Sequence, residues 1–463
     1  MKWLHPLTLS SLLFVFGIVF IILTPPFQVP DEPAHFFRAF HLSEGVLASQ
    51  EKDGMVGGML PVILLEDVKS YSHLPFNPAA KISISEWRAR LLESRPLRAE
   101  NLSNREFANV SAALYSPAPY IPQILAIWIG RLADFRVITT FYLGRLLTLA
   151  FAVSIIWYAL CLVSYSRQLT LGMFCLIGSP MSIFQMASLS ADAITNAAGF
   201  LIIAACFALM RDWSRRTFYI LLVGAALISL CKSLYALVAL FGVNPILASG
   251  LRKQEKVKCL LLLFAAAALP GIIWFLPVQD KVLDVYSYAR RDIVIDPGAQ
   301  IRFILDNPIR FLSFLYKTLI CRGNFYFQSY IGLLGWIDTK LSVWTYTFYP
   351  ILTAAACLIG SRSDKKRTDW KGAGIAGALT IIFSTLLILT MFMYWNPVGD
   401  ASPFMQGIQG RYFIPILPMI LLSLPILLKL EERAYGLYVR ISIASWVVLI
   451  ISAAASLAQR YWG

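Results

Sequence analysis

The stretch TLSSLLFVFGIVFIILTPPFQVPDEPAHFFRAFHLSEG, residues 8–45, decides the fold. Its first half, 8–25, is an uncharged apolar run behind Lys2, of the length that crosses a bilayer. It has no small-residue cleavage site and ends in Pro25-Pro26, so it reads as a retained first span and not as a cleaved signal peptide. The second half changes character at once. Pro30 and Pro33 bracket two adjacent carboxylates, Asp31 and Glu32, directly after the span.

The rest of the chain continues in the same mode. Of 463 residues, 58% are hydrophobic and only 14% charged, with mean hydropathy +0.66. Soluble domains average about 45–50% apolar and about 25% charged, and one soluble core stops growing near roughly 250–300 residues. This composition excludes a disordered chain, a secreted disulfide scaffold and an ordinary cytosolic enzyme. Further apolar runs lie near 119–133, 141–164, 169–186, 193–210, 217–230, 233–249, 259–277, 303–320, 341–360, 372–394, 411–430 and 441–458, giving up to 13 apolar segments with the first. Several fall short of the roughly 20 residues of a full span, so tilted, broken or re-entrant helices are expected. The seven cysteines sit mostly inside these runs, form no CxxC pair and read as small buried residues.

The net charge of +14 is unevenly placed. Residues 26–117 carry nine basic and eleven acidic side chains, so the basic excess lies elsewhere. Much of it forms short runs between apolar segments: Arg211, Arg215 and Arg216; Arg252, Lys253, Lys256 and Lys258; Lys365, Lys366, Arg367 and Lys371. That is the bias that sets membrane orientation, and no nucleic-acid partner is called for. With these runs inside, the loop after the first span falls outside. Between it and Arg167 only one net crossing is allowed, and 119–133, opened by Pro117, Pro119 and Pro122, is the segment expected not to cross. Arg310 and Lys317 place 303–320 at the interface. The expected architecture is all-α: a polytopic membrane helix bundle of about 11 spans, a large outer loop (26–118) of interfacial helices, and an outside C-terminus. Residues 1–430 would form the main domain and 431–463 a C-terminal span.

Four places where chemistry could reside then fall on the outer side. In VPDEPAHFFRAFHLSEG, Pro33 suits a first helical turn, and Asp31 lies at the positive end of that helix. His35 and Arg38 share its face at i+4 and i+7, and Phe36, Phe37 and Phe40 offer a side to the membrane surface. The plainer reading is a capped interfacial helix with salt bridges. In SPMSIFQMASLSADAITNAAGF, Asp192 is the only acid in a long apolar stretch. Such groups are costly in a membrane and usually functional, the plainer alternative being a helix cap. Lys232, in CKSLY, breaks two helices too short to span comfortably; it either snorkels to headgroups or holds a phosphate. Arg411 and Tyr412 open the run that follows a loop rich in Gly, Gln and Asn. Arg411 offers a bidentate phosphate contact or a headgroup anchor. The pair Asp31-Glu32 could also ligate a divalent cation such as Mg or Mn, although two carboxylates do not specify one. No Walker A loop, GxSxG elbow, HExxH or EF-hand loop occurs, and His5, His35, His41 and His73 have no zinc-like spacing.

The segments PDEPAHFFRAFHLSEG (30–45), YSPAPYIPQILAIWIGRL (115–132), SLSADAITN (188–196), GLLGWIDTKL (332–341) and QGRYFIPILP (409–418) together resemble a bacterial family of multi-span membrane proteins of unlabelled function. That family is grouped with the GT-C glycosyltransferase superfamily. The resemblance runs from about Pro25 to about Pro418. It implies transfer of a sugar from a polyprenyl-phosphate donor to an envelope glycan or lipid-linked acceptor, O-antigen among them, at the outer face of a bacterial inner membrane. By the same resemblance Asp31 is the general base, Glu32 its neighbour in the catalytic motif, Asp192 the second acid, and Lys232 and Arg411 meet the carrier phosphate; His35, Arg38 and Tyr412 are further candidate substrate contacts. A transporter or flippase for a lipid-linked precursor would also suit broken helices and buried charges, but no repeated halves are visible. A structural role in envelope assembly would not require Asp31 or Asp192.

Overall fold

The computed structural model describes residues 2–362 and 370–463; the basic run Lys365, Lys366 and Arg367 lies outside the described residues. Helices dominate. Among the described residues six are long and apolar enough to cross a membrane: Pro6–Leu23, Val137–Val163, Ala191–Arg211, Lys253–Phe275, Lys371–Trp395 and Glu432–Tyr461. The helices Arg167–Ile177 and Pro180–Met186, bent by 68° across Gly178 and Ser179, add a seventh if taken as one broken span.

Four or five of the eleven expected segments are not single helices of that length, because prolines and helix breaks interrupt them. As expected, 119–133 supplies no span: it holds the 12-residue helix Ile121–Leu132, about 18 Å long at the usual rise. The helix Val343–Leu358 has 16 residues with Pro350 inside it. The run 411–430, interrupted by Pro415, Pro418 and Pro425, becomes the 3-10 turn Gly410–Phe413, the short helix Leu417–Ser423 and a strand, Leu428–Leu430, that pairs in parallel with Ile359–Ser361. Helix Arg215–Cys231 ends at Lys232, and the chain continues as the 3-10 helix Ser233–Gly242. Residues 303–320, placed at the interface and not among the eleven, split at Asn307-Pro308 into Pro297–Asp306 and Pro308–Ile331.

The helix Ala191–Arg211 is the hub. It packs on Val137–Val163 and Arg215–Cys231 and is buried along nearly its whole length. Its small residues permit this closeness, as usual where helices meet in lipid: Gly199 leaves room for Pro415, and Gly224 of the neighbour receives Ile202. Glu432–Tyr461 packs on Pro6–Leu23 and Val343–Leu358. The indole of Trp462 donates to the Leu23 carbonyl at the end of the first span.

The large loop departs from the all-α expectation. It holds a three-stranded antiparallel sheet, β1 (Gln50–Lys52), β2 (Met55–Pro61) and β3 (Arg105–Asn109), with β2 central. The β1–β2 turn is Asp53-Gly54, both with left-handed backbone (φ 52° and 71°), the pairing that two-residue hairpins demand. The helix Glu32–Ser43 is buried rather than laid on a membrane surface. Phe36, Phe37 and Phe40 pack with Phe27, Val56 and Tyr71 over Val137, Ile138 and Phe141 of the long helix. Among the described helices of the loop, Ile84–Glu93 keeps an exposed apolar edge, at Ile84 and Leu92.

Two adjacent glycines in β2 differ sharply in what they can accept. A Cβ on Gly57 would lie 1.9 Å from the Ala108 carbonyl oxygen, whereas one on Gly58 would meet the His41 ring at 3.0 Å. Gly57→Ala is expected to cost about 1–3 kcal/mol and to open the loop to protease. Gly58→Ala should be milder, because an imidazole can shift and a strand carbonyl cannot. Limited proteolysis of the two variants side by side checks this.

Candidate functional site

Asp31 immediately precedes the buried helix, with φ 65° and ψ 1°, and its carboxylate caps nothing. A non-glycine residue in this left-handed region stores strain, and such residues concentrate at functional sites. The side chain is 59% exposed. Glu32, one residue on, is wholly buried. Arg145 forks onto it, Nε to Oε1 at 2.9 Å and Nη2 to Oε2 at 2.7 Å, and the Leu189 amide donates to Oε1 at 3.0 Å. Arg145 also donates to the carbonyls of Thr24 (2.6 Å) and Pro25 (3.0 Å). The expected catalytic role of Glu32 is therefore replaced by an anchoring one, since both its oxygens are taken. The same fact removes Asp31-Glu32 as a cation ligand pair, and no cluster of three or more His, Cys, Asp or Glu side chains forms a metal-binding group among the described residues.

The other segments arrive at Asp31 from separate directions. Ser190 caps the hub helix, its Oγ accepting from the Asp192 amide at 3.0 Å, so Asp192 itself is not the cap. The Asp192 carboxylate is ion-paired with Lys232 and accepts from Gln185 Nε2 at 2.9 Å; Gln185 is held in turn by Asn196 at 3.0 Å. Lys232 reaches it because the preceding helix stops there in extended backbone, and its ammonium lies 5.7 Å from the Tyr115 ring.

Arg411 is delivered by a loop that runs along the helix Pro308–Ile331. Asp400 pairs with Arg310 (2.8 Å), the Met405 amide donates to Thr318 Oγ1 (3.0 Å), and the Gly410 amide donates to Ser329 Oγ (2.8 Å). Gly410 must be glycine, because a Cβ would lie 1.9 Å from the Tyr326 carbonyl oxygen. The Arg411 side chain is only 7% exposed, and its Nη2 stands 3.8 Å from Asp31 Oδ2. Its Nε has no hydrogen-bond partner among the described residues. Arg411 lines a narrow cleft with Pro30, Phe184, Ile337 and Gln409. Tyr412 contributes its carbonyl, which accepts from Tyr235 OH at 2.9 Å.

His35 ties the halves together. Its Nδ1 lies 2.6 Å from Tyr120 OH, and Asp31, Asp192, Lys232 and Arg411 all act on it electrostatically. Burial is the larger influence and lowers its pKa from 6.5 to about 4, against the pull of the two carboxylates. Arg38 does not share this place. Its guanidinium is spent on backbone carbonyls, Tyr115 at 3.1 and 2.9 Å and Leu47 at 2.9 Å. The substrate contact expected of Arg38 gives way to a clamp on the Tyr115 loop. The structure thus brings together Asp31, Asp192, Lys232, Arg411, His35 and the Tyr412 backbone, and turns Glu32 and Arg38 into supports. Sequence reading missed Arg145, Gln185, Tyr115 and Tyr120. Arg145 carried a signal, being the lone charge in a 27-residue apolar helix.

The model of a family described as Predicted membrane protein (DUF2142) matches residues 14–420. The chain belongs to this family. The matched span holds every residue of the site, from Asp31 to Arg411. No match was found among curated proteins or solved structures.

Two outcomes follow from this geometry. Glu32→Gln leaves Arg145 buried without its counter-charge, and breaking a buried pair in this way costs about 3–5 kcal/mol. The variant should lose thermal stability in detergent well beyond Asp31→Asn, whose side chain is exposed. For His35, the unfolded chain takes up a proton as pH falls through 6.5, but the folded site does so only near 4. The stability present above pH 6.5 is therefore lost as pH falls toward 4. Comparing melting of wild type and His35→Asn across that range isolates the effect: the variant should show the shallower loss.

Proposed function

We propose that this chain is a membrane glycosyltransferase of GT-C type. In this reading it moves a sugar from a polyprenyl-phosphate carrier to an envelope glycan or lipid-linked acceptor at the outer face of a bacterial inner membrane. The observation that supports it most is one juxtaposition. An exposed, strained carboxylate with no hydrogen-bonding duty, Asp31, stands 3.8 Å from a buried guanidinium that has a donor to spare, Arg411. A proton acceptor thus adjoins an anion seat, as displacement at a glycosyl phosphate requires.

The chemistry is a single displacement. The acceptor hydroxyl attacks the anomeric carbon and passes its proton to Asp31. The bond from that carbon to the phosphate oxygen breaks, its electron pair stays on the oxygen, and polyprenyl phosphate leaves with inversion. Arg411 stabilises the growing phosphate charge through its planar fork. Lys232 adds a second cation, which Asp192 and Gln185 hold in place. Neutral His35 orders the Tyr120 hydroxyl beneath the charged cluster. The large loop and the turns at Asp192, Lys232 and Arg411 face the periplasm in this reading. The shorter apolar segments complete about eleven membrane passages in all.

The test is incubation of the purified protein with a panel of polyprenyl-phosphate sugars and an assay for free polyprenyl phosphate. Asp31→Asn should still bind donor but transfer about 10²–10⁴-fold more slowly. Arg411→Lys should not restore what Arg411→Ala loses, since an ammonium lacks the fork. Undiminished transfer by Asp31→Asn sinks the assignment, and net movement of intact carrier across vesicles would put a transporter in its place.

A further inference from the structure

Phe76 is hard to account for as packing. It is 70% exposed and sits at φ 57°, left-handed backbone that a bulky residue adopts only under constraint. Its ring lies 5.3 Å from Trp336, tilted by 57°. Trp336 belongs to the tight hairpin between β4 (Leu333–Leu334) and β5 (Thr339–Lys340), where Gly335 and Ile337 are also left-handed, at φ 59° and 64°. Two tips distant in sequence thus bring the exposed Phe76 ring against a half-buried Trp336.

The pairing is held from beneath. The buried guanidinium of Arg460 donates to the carbonyls of Leu74 (2.8 Å) and Ala80 (3.0 Å), on either side of Phe76, and to Asp338 Oδ2 (2.8 Å), two residues past Trp336. One side chain therefore fixes the Phe76 loop to the Trp336 hairpin. The pair also borders the functional site. The Trp336 indole donates to the Phe27 carbonyl at 2.9 Å, and the next residue, Ile337, lines the same cleft as Pro30 and Arg411. His73, Asn77 and Lys81, close to Phe76 in the chain, are exposed as well.

We propose that Phe76 and Trp336 form a stacking platform for a pyranose ring of the acceptor. The role of that ring as acceptor rests on the glycosyl-transfer reading. A pyranose has an apolar C–H face that suits an aromatic surface and a rim of hydroxyls that suits amide, imidazole and ammonium groups. An exposed aromatic face on a loop that also carries exposed imidazole, amide and ammonium groups offers both halves of that chemistry. Through Phe27 and Ile337 the pair adjoins the segment that carries Pro30 and the cleft lined by Arg411, so a ring held there would lie at the edge of the site.

The experiment needs no donor. The full chain in nanodiscs is titrated with a panel of pyranose oligosaccharides bearing hexose, N-acetylhexosamine or 6-deoxyhexose ends, beside Phe76→Ala, Phe76→Tyr and Trp336→Ala. The expected result is saccharide binding by wild type, weakened roughly tenfold or more in both alanine variants and largely kept in Phe76→Tyr. Phe76 is exposed, so its alanine variant should melt as wild type does. No saccharide binding by wild type, or equal binding by all variants, overturns the platform. Equal binding together with strong quenching of Phe76→Trp fluorescence by brominated lipids assigns the tip to the membrane surface instead. Because donor is absent, a negative result here leaves the transferase reading standing. Saccharide binding in a protein that never consumes donor would keep the platform and remove that reading.

Discussion

The Glu32–Arg145 pair is the constraint from which the site follows. Both side chains are wholly buried, 113 residues apart in sequence, and joined by two parallel hydrogen bonds. A buried ion pair is weak evidence for stability, because desolvation offsets much of the attraction. Its value here is positional. Arg145 also holds the carbonyls that end the first span, and Glu32 also accepts from the turn before the hub helix. Three elements are fixed relative to one another by one pair of side chains. With Glu32 pulled inward at the first position of its helix, the preceding residue is turned the other way. Asp31 stands exposed in left-handed backbone because Glu32 is not free to move.

The charges around Asp31 divide into those that are satisfied and those that are not. Lys232 and Asp192 neutralise each other, and Gln185 and Asn196 complete the arrangement. Arg38 has carbonyls, and Arg145 has Glu32. Arg411 alone keeps a loose partner, at 3.8 Å, and a buried donor without one among the described residues. Buried polar groups in folded proteins are nearly always paired, so an unpaired one calls for a reason. An anionic group that enters and leaves supplies one. A permanently bonded Arg411 would gain stability and lose the capacity to receive it.

How much of this the sequence disclosed depended on how local each signal was. The first span, the helix start around Asp31 and Pro33, the break at Lys232 and the turn at Arg411 are short-range features, and the structure has them at those places. The convergence of those segments was reached through charge bias. The assignment of duties was not legible, because it turns on which neighbour takes each lone pair. Asp31 and Glu32 look alike in sequence and differ only in that Arg145 lies behind one of them. The sheet was missed although Asp53-Gly54 is a strong hairpin signal; two glycines and few β-branched residues in β2 hid its strand character. Residues 411–430 form one apolar run in sequence, but Pro415, Pro418 and Pro425 forbid one continuous helix there.

Those interruptions are where the fold departs most from a plain bundle, and they share a location. The bend at Gly178-Ser179 leads into the turn that carries Asp192, the helix break at Lys232 reaches the same carboxylate, and the 3-10 turn at Gly410–Phe413 carries Arg411. In a bilayer, irregular backbone is tolerated only where protein or a water-filled cavity surrounds it, since lipid cannot satisfy freed amides and carbonyls. Each break here has such company: Gly410 donates to Ser329, Lys232 follows a helix packed on the hub, and Trp446 Nε1 donates to the Gly178 carbonyl. The chain thus gives up continuous spans where three breaks can face one another. Freed from the helical ladder, the backbone at each break can aim a charged side chain inward, a direction that an unbroken helix in lipid offers only to its packed face.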